Sequence, residues 1–271
     1  MSNPQQIIIK LTEILQENSN VAGLVLVGSY ARENGYQATE YSDLELYIIV
    51  RNEKAEDFEK ELLEIVNKLG QVVFSYKNRW AGFSTVFDDL FRLELPLAKL
   101  RELDSVFSRP ISQTVKVLID KTNGELKKAL DKRPKTIDFQ KSFEYQVLDA
   151  WYMLVAAVQY YKKGEIWSSR SVLQIVMSSI IKLMELLQDP DLLLLENNKR
   201  VELFLSKLQI NLLKKASPPY DKEQVYNALN HIIEIFSEIS KKVAKKYNYE
   251  YKIEIENEIK PKLQKLLKKD S

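Results

Sequence analysis

Val27-Gly28-Ser29-Tyr30-Ala31-Arg32 and, after a loop, Tyr41-Ser42-Asp43-Leu44-Glu45-Leu46 are the two stretches on which the reading of this chain turns. The first closes an apolar, β-branched run, Val21 to Val27, that Gly28 stops; a run this short between turn residues is a buried strand rather than a helix. Leu44 to Val50 is a second such run. Side chains alternate faces along a strand, so Asp43 and Glu45 point one way while Leu44 and Leu46 point into the core. The two carboxylates then share a face about 7 Å apart along the strand, a spacing that lets one divalent cation or a pair of them sit between. Gly28-Ser29 turns backbone N–H groups and a hydroxyl outward at the end of the preceding strand, and a short helix beginning near Tyr30 would aim its positive end the same way. Each feature alone is common. The combination, with the acid pair starting fifteen residues after Gly28, reads as a phosphate cradle beside a divalent-metal site.

A third acid lies in Phe87-Asp88-Asp89-Leu90-Phe91-Arg92-Leu93-Glu94-Leu95, where Glu94 interrupts an apolar strand and Arg92 shares its face at period two. Two arrangements satisfy such a carboxylate. Either Arg92 pairs with it, or it joins Asp43 and Glu45 across neighbouring strands. Asp88-Asp89 reads as a hairpin turn.

Outward from these motifs, the first part of the chain mixes periods. Helical spacing marks Asn3 to Glu17 and Ala55 to Leu69, with a further helix at Gly124 to Leu130; strands are expected at Gln71 to Tyr76, Phe83 to Phe87, Phe91 to Leu95 and Val115 to Ile119. Lys132-Arg133-Pro134-Lys135 is a basic segment where few contacts should cross. Beyond it the pattern is helical. One apolar stripe runs from Phe143 to Val158, capped by Asp138, and another from Val172 to Leu187, capped by Ser168 or Ser169. Val225 to Val243 and Ile253 to Leu267 add two more, enough for a bundle. The expected organisation is α+β: a mixed-sheet domain over 1–134, then an all-α helical bundle over 135–271.

Composition narrows the chemistry. The 271 residues hold no Cys and a single His, His231, which excludes disulfides, thiolate zinc sites, Cys nucleophiles and multi-histidine metal centres. Lys+Arg 40 against Asp+Glu 38 leaves a formal charge of +2, too little field to mark a nucleic-acid or membrane-surface binder. The longest uncharged stretch, the fourteen residues Asn18 to Ala31, falls short of the roughly 20 needed to span a bilayer. A cytoplasmic location is expected, and chemistry must come from carboxylates, hydroxyls, Lys, Arg or Tyr.

The Gly-Ser turn, the Asp-x-Glu pair and the later strand-borne Glu resemble the nucleotidyltransferase superfamily of polymerase-β-type fold. Tyr41 to Ile48, the Phe87-Asp88-x-Leu-x-Arg92-x-Glu94 stretch and the helical second half look most like the two-domain lincosamide nucleotidyltransferases, relatives of the aminoglycoside adenylyltransferases. The motifs cover about Val27 to Leu95. What the resemblance implies is Mg²⁺-dependent transfer of a nucleoside monophosphate, AMP from ATP, to a hydroxyl of a small acceptor of the lincosamide or aminoglycoside type, with release of pyrophosphate. Asp43 and Glu45 would hold Mg²⁺, Gly28 and Ser29 the triphosphate, and Glu94 would be the general base. A metal-bound third acid is common elsewhere in the superfamily, so Glu94 as ligand stays open. The resemblance also implies a homodimer with shared active sites; the aromatic surplus of the helical half, Thr136 to Ser271, leads to the expectation that it closes over the sheet and supplies the acceptor wall.

Arg32 and Arg170 are further candidates for phosphate contact, each equally at home as an exposed or loop-capping Arg. Trp151, Tyr152, Tyr160, Tyr161 and Trp167 could stack on a base or a sugar-bearing acceptor, although aromatic residues at helical spacing are mainly core, and His231 lies off the apolar stripe with no role. Two other acceptors remain: a protein or nucleic acid, as in antitoxin-like or RNA-directed relatives, or a small molecule of another kind. The toxin-type helical bundle needs an Arg shortly before a His, and His231 has none within thirty residues; the Glu interspersed through the Lys-rich end speaks against a nucleic acid track.

Overall fold

The computed structural model describes residues 3–32, 38–51, 55–77, 82–107, 115–132, 138–189 and 201–268. Two compact units divide the chain, Met1–Lys135 and Thr136–Ser271. The Pro-containing segment expected between them lies, from Arg133 on, outside the described residues.

The first unit runs α1 (Pro4–Glu17), β1 (Val21–Val27), β2 (Leu44–Val50), α2 (Ala55–Asn67), β3 (Val72–Lys77), β4 (Phe83–Phe87), β5 (Arg92–Leu95), β6 (Leu97–Lys99), α3 (Leu103–Val106), β7 (Lys116–Asp120) and α4 (Glu125–Lys132). Asn3 caps α1, its side chain accepting from the N–H groups of Gln5 and Gln6, with Pro4 at the first position. The strands form one sheet in the order β3-β4-β5-β2-β1-β7, with β6 also on β2. β1 pairs antiparallel with both β2 and β7, while β5 and β6 run parallel to β2. β6 and α3 are additions to the sequence reading. β5 and β6 are one course of chain interrupted at Pro96, which has no N–H for the ladder but still accepts from the Ile48 N–H at 2.9 Å.

The sheet has two distinct faces. On one, Leu24, Leu26, Leu44, Leu46, Ile48, Leu93 and Leu95 pack with α1 and α2 residues such as Leu11, Leu15, Phe58 and Leu62, all buried. On the other, Val25, Val27 and Ile49 pack with Leu103, Phe107, Leu126 and Leu130 of the α3–α4 region. Among the described residues that second cluster lies over β1, β2 and the adjoining Ala98 of β6. Over β2, β5, β4 and β3 the same face carries the half-buried Glu45, Glu94 and Ser84 and the exposed Arg92.

The second unit runs α5 (Phe139–Lys162), α6 (Ile166–Gln188), α7 (Val201–Phe204), α8 (Lys207–Lys215), α9 (Lys222–Tyr247) and α10 (Ile253–Lys268). Asp138 caps α5 as expected, accepting from the Lys141 N–H at 2.9 Å. α6 starts earlier than its serines indicated. Gly164 takes φ +79 after α5 and the chain re-enters helix at Ile166, so Ser169 is internal and buried, its hydroxyl donating to the Ala157 carbonyl at 2.8 Å to tie α6 to α5. The core is one cluster drawn from all six helices, α5 to α10, in which Trp151 meets Phe236 edge-on at 5.1 Å. Among the described residues α6 alone is long and apolar enough to cross a bilayer, and its Leu173, Val176, Ile180 and Met184 are buried in that cluster.

Candidate active site

Gly28 opens the site. Its φ of +74 turns the chain out of β1 in a conformation that side-chain-bearing residues rarely adopt, and a Cβ built there would lie 3.9 Å from Glu45 Oε2. The Gly-Ser turn and the Glu45 carboxylate are therefore neighbours, as the pairing of Val27 with Glu45 across β1 and β2 requires. Gly28–Ala31 forms a single 3₁₀ turn, closed by the Arg32 N–H on the Ser29 carbonyl at 3.4 Å. This corrects the expectation of a helix near Tyr30: the helical segment begins at Gly28 and is one turn long, so there is little macrodipole. Ser29 and Arg32 are both half-buried at this turn.

Asp43 is set by a small knot of hydroxyls. Ser42 Oγ accepts from the Thr39 N–H at 2.9 Å, and the Ser42 N–H returns to the Thr39 carbonyl at 3.0 Å, fixing the chain just before β2. Tyr30 closes the same corner with its hydroxyl 3.4 Å from the Thr39 carbonyl. Burial, and then the negative Asp43, push the Tyr30 phenol above its ordinary value. Tyr30 is thus a site residue that the sequence reading passed over. Its signal was its place directly after Gly28-Ser29.

Glu94 stands beside Glu45. The two are register partners across the parallel β2–β5 pair, and directly opposed residues point to the same face. The alternative in which Arg92 neutralises Glu94 is not the one adopted. Arg92 Nη2 instead donates to Asp43 Oδ2 at 3.1 Å, both side chains being well exposed. Leu93 faces Leu44, which brings the positions before them, Arg92 and Asp43, side by side. Asp43, Glu45 and Glu94 are all on one sheet face, and Arg92 is the counter-ion of the first. The Asp88-Asp89 turn expected between the strands is present, with Asp89 Oδ1 accepting from the Phe91 N–H at 3.1 Å and Leu90 at φ 64.

Arg170 sits in the helical unit. Its Nε donates to the Pro218 carbonyl at 2.8 Å, its Nη1 to the Tyr220 hydroxyl at 3.2 Å, and its guanidinium lies 4.3 Å over the Tyr220 ring. Trp167 stacks on that same ring at 3.8 Å yet is 69% exposed, as Tyr152 is at 71%, so these two are not the core residues their spacing indicated, whereas Trp151 and Tyr161 are buried. These contacts account for Arg170 as a residue ordering the 218–220 segment. His231 is exposed on α9.

Among the described residues no group of three or more His, Cys, Asp or Glu side chains is gathered closely enough to hold a metal. The donor set still fits magnesium, which takes hard oxygen ligands and is commonly bound by one or two carboxylates with the remaining positions filled by phosphate and water. Asp43 and Glu45, beside the Gly28 turn, offer that number. A cavity of about 570 Å³ lined by Val50, Glu59, Leu63, Lys77, Phe83 and Lys99 is elsewhere, near α2 and five residues along β2 from Glu45, roughly 16 Å by strand rise.

Among solved structures the chain is similar to an aminoglycoside 6-adenyltransferase from Bacillus subtilis, at 16% identity and a TM-score of 0.45, with 98% of this chain and 99% of that one covered. It is also similar to a nucleotidyltransferase-like protein from Exiguobacterium sibiricum, at 12% identity and a TM-score of 0.38 over 89% and 77% of the two chains. No curated protein sequence matches significantly. The family model for streptomycin adenylyltransferase, however, matches residues 1–266, and with nearly the whole chain inside that match the protein belongs to the streptomycin adenylyltransferase family and is a nucleotidyltransferase.

Proposed function

We propose that the protein transfers AMP from ATP, with Mg²⁺, to a hydroxyl of an aminoglycoside-type acceptor and releases pyrophosphate. Of the two antibiotic classes the sequence left open, the family description speaks for the aminoglycoside. The observation that carries the reaction is the register of Glu45 with Glu94 beside the positive-φ turn at Gly28. Asp43 and Glu45 would hold the Mg²⁺, whose charge offsets that of the triphosphate. The N–H groups and hydroxyl of the Gly28-Ser29 turn bind phosphate oxygens, and Arg32 adds a positive charge at the end of that turn.

In the reaction the acceptor oxygen forms a bond to the α-phosphorus as the bond to pyrophosphate breaks, and the hydroxyl proton passes to Glu94. Glu94, the register partner of Glu45, is assigned the base role, and its variant below separates that role from metal ligation. A homodimer, which rests on the family resemblance, and a cytoplasmic location, which rests on composition, belong to the same reading.

The decisive experiment is incubation of the purified protein with ATP, Mg²⁺ and a panel of aminoglycosides and lincosamides, read by pyrophosphate release and product mass. An adenylylated aminoglycoside is expected; an adenylylated lincosamide alone would change the acceptor class, and no product would sink the reading. Glu94→Gln should keep Mg²⁺–ATP binding in calorimetry and lose about 10²- to 10⁴-fold in kcat, the usual worth of a general base. Abolished Mg²⁺–ATP binding in that variant would make Glu94 a ligand.

A further inference from the structure

The row of residues that holds the two glutamates does not end at Glu94. Glu94 is paired in register with Ser84 on β4, and Ser84 with Tyr76 on β3, so Glu45, Glu94, Ser84 and Tyr76 form one line across four strands on one face of the sheet. A second line beside it contains Arg92, Val86 and Phe74 through the pairs Val86 with Arg92 and Phe74 with Val86. At the outer end Phe74 and Tyr76 stack with ring centroids 6.4 Å apart and planes 29° apart. Phe74 remains 50% exposed and Tyr76 56%. β3 is the edge strand of the sheet, and edge strands ordinarily carry charge or proline on such positions. Two large rings held in a stack, on the same face as the carboxylates, contribute little to the core and leave their outer faces open.

We infer that Phe74 and Tyr76 are the acceptor-positioning residues of this enzyme, an aromatic rest for the part of a cationic, multi-ring amino-sugar or aminocyclitol acceptor remote from the reacting hydroxyl. The inference deepens the proposed nucleotidyl transfer and rests on it for the identity of the reacting end. The chemistry of the strip matches such a molecule along its length. Glu94 attracts its ammonium or guanidinium groups, and the rings receive the apolar face of a sugar and a flanking cation. Two strand spacings separate Glu94 from Tyr76, about 10 Å, a distance that one sugar ring does not span and two linked rings do. An acceptor seated on the rings thereby has its reacting hydroxyl delivered to Glu94, and the strip selects acceptors of more than one ring.

Phe74→Ala, Tyr76→Ala and the conservative Tyr76→Phe, made in the full chain, test this with streptomycin and kanamycin as multi-ring probes and 2-deoxystreptamine as the single-ring control. For the better multi-ring probe, either alanine variant should raise the acceptor KM at least tenfold while ATP KM and kcat at saturating acceptor stay within twofold. Tyr76→Phe should restore most of the acceptor affinity, and KM for the single-ring control should not move. Calorimetric titration of the same probes without ATP reads the surface independently of turnover. Wild type that binds a multi-ring probe, with tenfold weaker binding in the alanine variants but no pyrophosphate release, would sink the transfer reading and keep the aromatic rest. Unchanged acceptor KM and Kd in both alanine variants, no probe binding in wild type, or alanine variants whose only change is a halved mass in light scattering, as for a β3 edge that docks a second copy, would overturn the inference.

Discussion

Asp43 carries two opposed demands: it belongs to the acid pair of β2, and it is held by Arg92 at 3.1 Å. An ion pair this exposed contributes about 0–1 kcal/mol, so it neutralises Asp43 without locking it, and a cation or a phosphate can take over either partner. Asp43→Asn should therefore leave the melting temperature of the free protein nearly unchanged and weaken Mg²⁺-dependent ATP binding at least tenfold; a variant with unaltered Mg²⁺ dependence would remove Asp43 from the metal. The acids themselves were legible in the sequence because period two on a strand fixes their face. The partner of Arg92 was not. Arg92 and Glu94 share a face along β5, but which carboxylate Arg92 meets depends on the parallel register that sets Leu93 against Leu44, a long-range fact absent from local spacing. Tyr30 was hidden for a similar reason, since its link to Asp43 runs through the fold of the Thr39–Ser42 turn.

At the scale of elements, the strands around the site and the long helices were readable from apolar period and turn residues, whereas short α3, α7 and α8 and the Pro-interrupted β6 offered too few residues for a period to appear. The start of α6 was misplaced because serine is a favoured cap, yet Ser169 is consumed inside the helix by the Ala157 carbonyl. Two buried carboxyls in the helical unit show how context divides one residue type. Burial pushes the Glu256 carboxyl up, but hydrogen bonds from Lys241 at 2.7 Å, Ser237 at 2.6 Å and Tyr251 at 2.6 Å outweigh it and hold the group below its ordinary value. Glu185 on α6 is only 4% exposed, and burial pushes it from an ordinary 4.5 up to about 7, with Lys182 opposing more weakly. Between those two values the unfolded chain has lost the Glu185 proton and the folded chain keeps it, so this group makes stability fall as pH rises through that window. Glu185→Gln should stabilise the protein by about 2 to 3 kcal/mol at pH 8 and by almost nothing at pH 4. Chemical denaturation of both proteins at the two pH values measures the difference, and an equal gain at both would contradict the assignment.

For the molecule as a whole, the relevant fact is that each unit has a core of its own. The sheet unit is held by the clusters on its two faces and the helical unit by a cluster that includes Trp151, and among the described residues none of these draws residues from the other unit. Two separate cores predict that unfolding is not a single two-state event: calorimetry should give a total enthalpy larger than the van't Hoff enthalpy, or two resolved transitions. The two local features assign them. Glu185→Gln acts inside the helical core and should raise only the helical unit's transition at pH 8. On the proposed reading, in which Asp43, Glu45 and the Gly28 turn hold Mg²⁺–ATP, the nucleotide should raise the sheet unit's transition by about 2.7 kcal/mol when present at a hundred times its Kd, and Asp43→Asn should cancel that rise. A single transition coincident by all probes, moved equally by the substitution and by the nucleotide, would mean that the units unfold as one. Selective movement would locate nucleotide binding on the sheet unit by a measurement that requires neither an acceptor nor turnover.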